Sequence, residues 1–183
     1  MKPHMEDNEI LLFAETIKEA EGYFEFGCGG STVFASNNSS AKIHSVDSSK
    51  EWLNKVSGNI RDTEVILEHV NLGPLKAWGY PVTNKHLWRN YYESIHTTKV
   101  SPDVVLIDGR FRVSCALNVI KYSKNNNLNT TIMIHDSERY LKDLKKYLIQ
   151  IRFSQSLSVM KIKDNINFEE IERDSERFKY QKQ

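Results

Sequence analysis

The chain has 183 residues, 39% of them hydrophobic and 27% charged, the composition of one ordinary globular domain rather than of a disordered or fibrous chain. Its 25 basic and 24 acidic residues leave a net charge of +1, which excludes a global basic field for attracting nucleic acid. The longest apolar runs are strand-sized, as in Val104 to Ile107, and the opening MKPHMEDNEI lacks the apolar core of a secretion signal, so the expectation is a cytoplasmic protein with no membrane partner.

Residues 7–20 place Ile10, Phe13, Ala14 and Ile17 at helical spacing, which predicts a helix ahead of the first strand. Tyr23 to Phe26 then reads as a short buried strand running into the turn Gly27-Cys28-Gly29-Gly30, with Ser31 and Thr32 starting a helix to about Ser36. Lys42 to Val46 is a second strand, ending on Asp47; Ser48 and Ser49 open a helix whose apolar face is Trp52, Leu53 and Val56 and whose stop is Gly58. Thr63 to Val70 predicts a third strand, followed at Asn71 by a loop to about Asn84 and a helix over His86 to Ile95. A fourth strand, Asp103 to Ile107, ends on Asp108-Gly109, and its helix runs from about Phe111 to Tyr122.

Thr130 to Ile134 is a fifth strand, ending on His135-Asp136 and leading to a helix bearing Tyr140, Leu141, Leu144, Tyr147 and Leu148. The strand-helix alternation implies a doubly wound parallel sheet with right-handed crossovers. Ile151 to Phe153 and Leu157 to Ile162 are separated only by Ser154-Gln155-Ser156, too few residues for a crossover helix, so they should form an antiparallel hairpin at the sheet edge. A charged tail over 164–183 reads either as a solvated helix or as a loose segment. No repeat or linker divides the chain, and a single domain over 1–183 is expected. The two cysteines, Cys28 and Cys115, match no disulfide framework and no metal-ligand spacing.

Ligands of open parallel sheets bind beyond the carboxyl ends of the strands. That rule selects Glu25 and the glycine turn, Asp47, Asn71, Asp108, and His135 with Asp136. Glycines let a ligand approach the backbone closely, and the N–H groups opening the next helix suit an anionic or polar group. A carboxylate ending strand two, roughly twenty residues past such a turn, is placed to grip a ribose diol. The pattern E-x-G-x-G-G lacks the third glycine of a dinucleotide loop, which favours S-adenosylmethionine (SAM), a nucleoside without phosphates, over NAD.

E-F-G-C-G-G-S-T at Glu25 to Thr32, S-V-D at Ser45 to Asp47 and D-V-V-L-I-D-G-R-F at Asp103 to Phe111 resemble class I SAM-dependent methyltransferases, in particular small bacterial and phage methyltransferase-like proteins with an L-I-D-G-R segment and a G-P…W-G-Y-P loop, here Gly73-Pro74 and Trp78 to Pro81. The resemblance spans roughly Gly22 to Ile162. It implies a Rossmann-like, mostly parallel seven-stranded sheet with a C-terminal antiparallel hairpin. Carried over, Gly27, Gly29 and Gly30 would line the methionine part of SAM, Glu25 would support the loop, Asp47 would bind the ribose, and Asp108 would lie beneath the methyl donor. Cys28, Ser31, Thr32, Ser48 and Asn71 complete the candidate cofactor-binding set.

Two mechanistic readings stay open at Asp108, His135 and Asp136, the candidate catalytic residues. Asp108 and Asp136 resemble the carboxylates that hold Mg2+ in metal-dependent O-methyltransferases, although Ser137 stands where those enzymes supply a further acid or amide. Alternatively, His135 acts as general base toward a hydroxyl. Trp78 and Tyr80 in the loop, with Arg110 after strand four, are the candidate substrate residues. The expected activity is methylation of an oxygen on a small-molecule or sugar-like acceptor. The rival readings are a catalytically silent, regulatory protein that keeps the nucleoside, and an NAD-dependent dehydrogenase. Acceptor identity and oligomeric state are not legible.

Overall fold

A computed structural model describes residues 1–61 and 64–182. Helix α1 (Asp7–Ile17) precedes strand β1 (Gly22–Phe26), α2 (Gly30–Asn38), β2 (Lys42–Asp47), α3 (Lys50–Ser57) and β3 (Ile66–His69). A small hairpin of β4 (Leu75–Lys76) and β5 (Tyr80–Pro81) is followed by α4 (Arg89–Tyr92), β6 (Val104–Ile107), α5 (Arg112–Asn125), β7 (Thr131–Ile134), α6 (Leu141–Leu144), β8 (Leu148–Ser154), β9 (Leu157–Ile162) and α7 (Phe168–Phe178).

Seven strands form one sheet in the order β3-β2-β1-β6-β7-β9-β8. All neighbours are parallel as far as β7, while β9 runs antiparallel between β7 and β8. The strand order reverses beside β1, which opens a crevice at the carboxyl ends of β1 and β6. Both faces of the sheet are covered, so its strands are apolar on alternate residues of each face. Val104 and Leu106 of β6 pack with Phe13 and Ile17 of α1, whereas Val105 and Ile107 join Leu117 and Ile120 of α5 and Phe178 of α7.

The edge hairpin and the strand-helix alternation agree with the sequence reading, and four details differ. The third strand is described from Ile66, and its expected start at Thr63 lies outside the described residues. The segment expected to be one helix over 86–95 is broken into a 3-10 turn at Lys85–Leu87, α4, and a second 3-10 turn at Ser94–Thr97. Its aromatic residues Trp88, Tyr91 and Tyr92 are nevertheless buried, because packing of the rings, not helix propensity, dictates this path.

The helix expected through Leu148 lasts one turn, since the chain must straighten at Leu148 to pair with Ile162 across the hairpin. The tail is neither loose nor a fully solvated helix. Ile171 and Phe178 of α7 are buried against the α5 side, and Asn167 caps the helix by accepting N–H bonds from Glu169 (2.9 Å) and Glu170 (3.3 Å). Among the described residues, no helix is long and apolar enough to cross a membrane.

Candidate functional site

A cleft of about 860 Å³ lies over the carboxyl ends of β1, β2, β6 and β7, within the range of small-molecule sites. Its floor is the glycine turn. Gly27 has φ +92°, and a Cβ there would stand 2.7 Å from both the Cα and the N of Gly109, so β1 and β6 meet backbone to backbone. Beneath the turn, Glu25 is fully buried and accepts hydrogen bonds from the hydroxyls of Ser31, of Thr32 (2.6 Å) and of Ser45 (3.0 Å). Thr32 in turn accepts from the Gly29 N–H at 2.9 Å. Burial pushes the Glu25 carboxyl up to about 7, against the lowering effect of those three hydroxyls. Glu25 and Thr32 therefore brace the loop from below and do not line the cleft.

Asp47 lines the opposite wall with Ser48. The Ser49 N–H donates to Asp47 Oδ1 at 2.8 Å. Burial raises the Asp47 carboxyl to about 6, while the N–H groups of Ser49, Ser48 and Cys28 hold it down. Trp52, at the start of α3, donates its indole N–H to the Cys28 carbonyl at 2.6 Å and fixes the turn from this side. The Cys28 thiol is pushed far up by burial, so it is a packed hydrophobe and not a nucleophile. Asn71 does not reach the cleft: its Oδ1 accepts from the Gly73 N–H at 2.9 Å in a turn, an ordinary Asx role.

At the other end, Asp108, His135 and Asp136 do come together, joined by two side chains that sequence reasoning did not place there. The first is Arg112. It is 3% exposed, with Nη2 3.1 Å from Asp108 Oδ1 and Nη1 3.2 Å from Asp136 Oδ2, and it also donates to the carbonyls of Asp108, Gly109 and His135. The guanidinium thus occupies the space between the two carboxylates where a Mg2+ ion would have to sit. Among the described residues, no three His, Cys, Asp or Glu side chains gather to hold a metal. The donor set does not fit a divalent ion.

The second missing partner is Glu9, buried on α1, 126 residues from His135. Its Oε1 accepts from Ser156 N (2.8 Å) and Ser156 Oγ (2.6 Å), and its Oε2 accepts from Glu6 N (2.9 Å). Burial alone would raise this carboxyl, but the Ser156 and Glu6 donors and the nearby His135 charge hold it at about 2. His135 Nδ1 lies 3.2 Å from Asp108 Oδ1, and Nε2 lies 3.1 Å from Ser156 Oγ and 3.4 Å from Glu9 Oε2. Since the Ser156 hydroxyl proton is directed at Glu9, its oxygen accepts from Nε2–H, and both ring nitrogens are donors. Burial opposes the charged ring; the bond to Asp108 and the charges of Asp108, Glu9 and Asp136 outweigh it and raise the His135 pKa. Neither nitrogen is free to face an acceptor, so the base reading of His135 lacks the geometry it needs.

Glu9 left a trace in the sequence. The expected apolar stripe was Ile10, Phe13, Ala14 and Ile17, but the buried stripe is Glu9, Leu12, Phe13 and Ile17. An acid one turn ahead of two buried apolar residues is a signal that periodicity can find.

Trp78, Tyr80 and Arg110 all border the cleft, as do Met1, Lys2 and His4 of the N-terminal segment. That segment is pressed onto α2: a Cβ at Gly30 would collide with the Lys2 carbonyl.

Sheet order and cleft together define a Rossmann-like α/β methyltransferase architecture, with the ligand crevice where the strand order reverses. No protein-family model and no curated relative matches the chain. Among solved structures, a methyltransferase-like protein from Silicibacter pomeroyi is 25% identical, with a TM-score of 0.84 over 98% of this chain and 97% of that one. An rRNA methylase from Streptococcus thermophilus is 14% identical, with a TM-score of 0.52 over 88% of this chain and 98% of that one. An RNA methyltransferase from Salinibacter ruber, in complex with S-adenosylhomocysteine, is 13% identical, with a TM-score of 0.52 over 90% and 97% of the two chains. The last two share the fold. The chain has the fold of the class I SAM-dependent methyltransferases and is similar over nearly its whole length to a methyltransferase-like protein.

Proposed function

We propose that the protein transfers the methyl group of SAM to an oxygen of a small-molecule acceptor. The observation that carries this reading is the convergence of the glycine turn, Asp47 and Asp108 around a single cleft. In this reading the methionine part lies over Gly27 to Ser31, the ribose hydroxyls donate to Asp47 beside Ser48, and the sulfonium faces Asp108. The carboxylate of Asp108 is held in place by His135 and Arg112. Asp136, partly exposed, borders the acceptor side. Methyl transfer then rests mainly on proximity and orientation of the nucleophile to the methyl group.

The engagement of both His135 nitrogens favours a second reading, a protein that keeps the nucleoside and transfers no methyl group. Calorimetry with S-adenosylhomocysteine (SAH) tests what the two readings share; no binding at millimolar ligand would sink both. Transfer of labelled methyl groups from SAM into a cell extract, followed by mass analysis of the product, separates them.

A further inference from the structure

Arg110 is a cation of this cleft that makes no ion pair among the described residues. The other two arginines along the wall are committed: Arg112 to Asp108 and Asp136, and Arg139 to Asp136 at 3.5 Å. Arg110 has no carboxylate partner among the described residues, and its Nε is buried without a hydrogen-bond acceptor. Its guanidinium carbon sits 4.5 Å from the centre of the Tyr80 ring. A guanidinium stacked on a phenol ring by one face is oriented, not solvated, and its edge stays available to fork onto a carboxylate or phosphate. A buried donor without an acceptor marks a place that a ligand completes.

Beside it, Trp78 is 81% exposed and adopts φ 60°, ψ 28°, a left-handed conformation that bulky residues avoid. The β4–β5 hairpin on either side holds it there, with Lys76 opposite Tyr80. Backbone strain that presents an indole face to solvent at a cleft mouth is a feature of ligand clamps. The flat surface and the cation thus border the same cleft, with Tyr80 of the hairpin under the guanidinium.

We propose that the methyl acceptor is a flat, anionic small molecule whose carboxylate or phosphate is held by Arg110 and whose ring rests on Trp78. This deepens the proposed function and rests on SAM occupying the Gly27–Asp47–Asp108 side. The cofactor's own carboxylate has donors in the N–H groups that open α2 at Gly30 and Ser31, which line the cleft. A nucleic-acid strand would need a row of free cations to follow its phosphates; here Lys2 is paired with Asp7 and Arg139 with Asp136, only Arg110 and Lys76 of the cleft's arginines and lysines lack an ion pair among the described residues, and the chain carries a net charge of only +1.

The test is calorimetry on SAH-loaded protein with benzoate, phenyl phosphate, neutral benzamide and a single-stranded RNA of about twelve nucleotides. At least one of the two anions should bind tenfold or more tightly than benzamide, and which one does so identifies the anionic group. Arg110→Gln should erase that preference while changing SAH affinity less than twofold, and Trp78→Ala should weaken all three aromatic probes. Equal affinity for charged and neutral probes would overturn the proposal. So would a loss of SAH affinity in Arg110→Gln matching its loss of anion affinity, which would assign Arg110 to the cofactor, or RNA binding that exceeds both anions. If wild-type protein binds no SAH, the cofactor reading fails, and the same probes on ligand-free protein decide this one.

Discussion

Asp47, the proposed ribose ligand, links cofactor binding to pH. Its carboxyl is lifted to about 6 by burial and held from rising further by three backbone N–H groups. A ribose diol donates to the ionised form, so the protonated form is a poor acceptor. Cofactor affinity is therefore expected to rise with pH through about 6 and to level off above 7. SAH titrations between pH 5 and 8 check this, and Asp47→Asn should bind at least tenfold more weakly with no step at that pH. The position of Asp47 at the end of β2, facing the cleft, was legible in the sequence, because the distance from a glycine turn to the next strand end follows from the βαβ connection itself. Arg112 and Glu9 were not, since their roles depend on partners brought together from four separate elements.

At the level of elements, α1 is more than a cover for the sheet. It delivers Glu9 to the turn between β8 and β9 and to the end of β7 at once. The Glu9 carboxyl sits at about 2, below its ordinary value of 4.5. A depressed folded-state value means that its ionisation stabilises the fold above about pH 4.5, and that this contribution is lost as pH falls toward 2. Glu9→Gln leaves Ser156 one acceptor but removes the charge, for an expected cost of about 1–3 kcal/mol at pH 7. Urea denaturation at pH 7 and pH 3 should show the gap between wild type and variant shrinking at the lower pH; a gap independent of pH would contradict this account. The Trp78 loop is the opposite case. Its residues were visible in the sequence, yet the hairpin of β4 and β5 that strains it was not, because two-residue strands carry no periodicity.

The whole molecule separates stability from the site. Helix α7 lies against α5, on the sheet face where Tyr147 donates to Asp174 at 2.7 Å and Ile171 is fully buried. Ile171→Ala should therefore cost about 2–4 kcal/mol in chemical denaturation and change SAH affinity less than twofold. A variant that lost both would place α7 in the binding machinery. At the far edge, a β-bulge between Gln150 and Arg152 sends Ile149 and Phe153 to opposite faces, aligned with Lys161 and Ser158 of β9. This interrupts what would be a continuous apolar stripe on an open sheet edge.

The sequence by itself determined the order of strands and helices, the edge hairpin, and the place of the glycine turn and Asp47. All of these follow from short-range signals: period-two and helical hydrophobicity, turn residues, and a hairpin too short for a crossover. Only the tertiary structure decided that Arg112 fills the gap between Asp108 and Asp136, that Glu9 and Asp108 hold His135 from both sides, that Asn71 serves a turn, and that Arg110 makes no ion pair among the described residues. Charge pairing in a fold is settled by which elements converge, and convergence across more than a hundred residues leaves no local pattern to read.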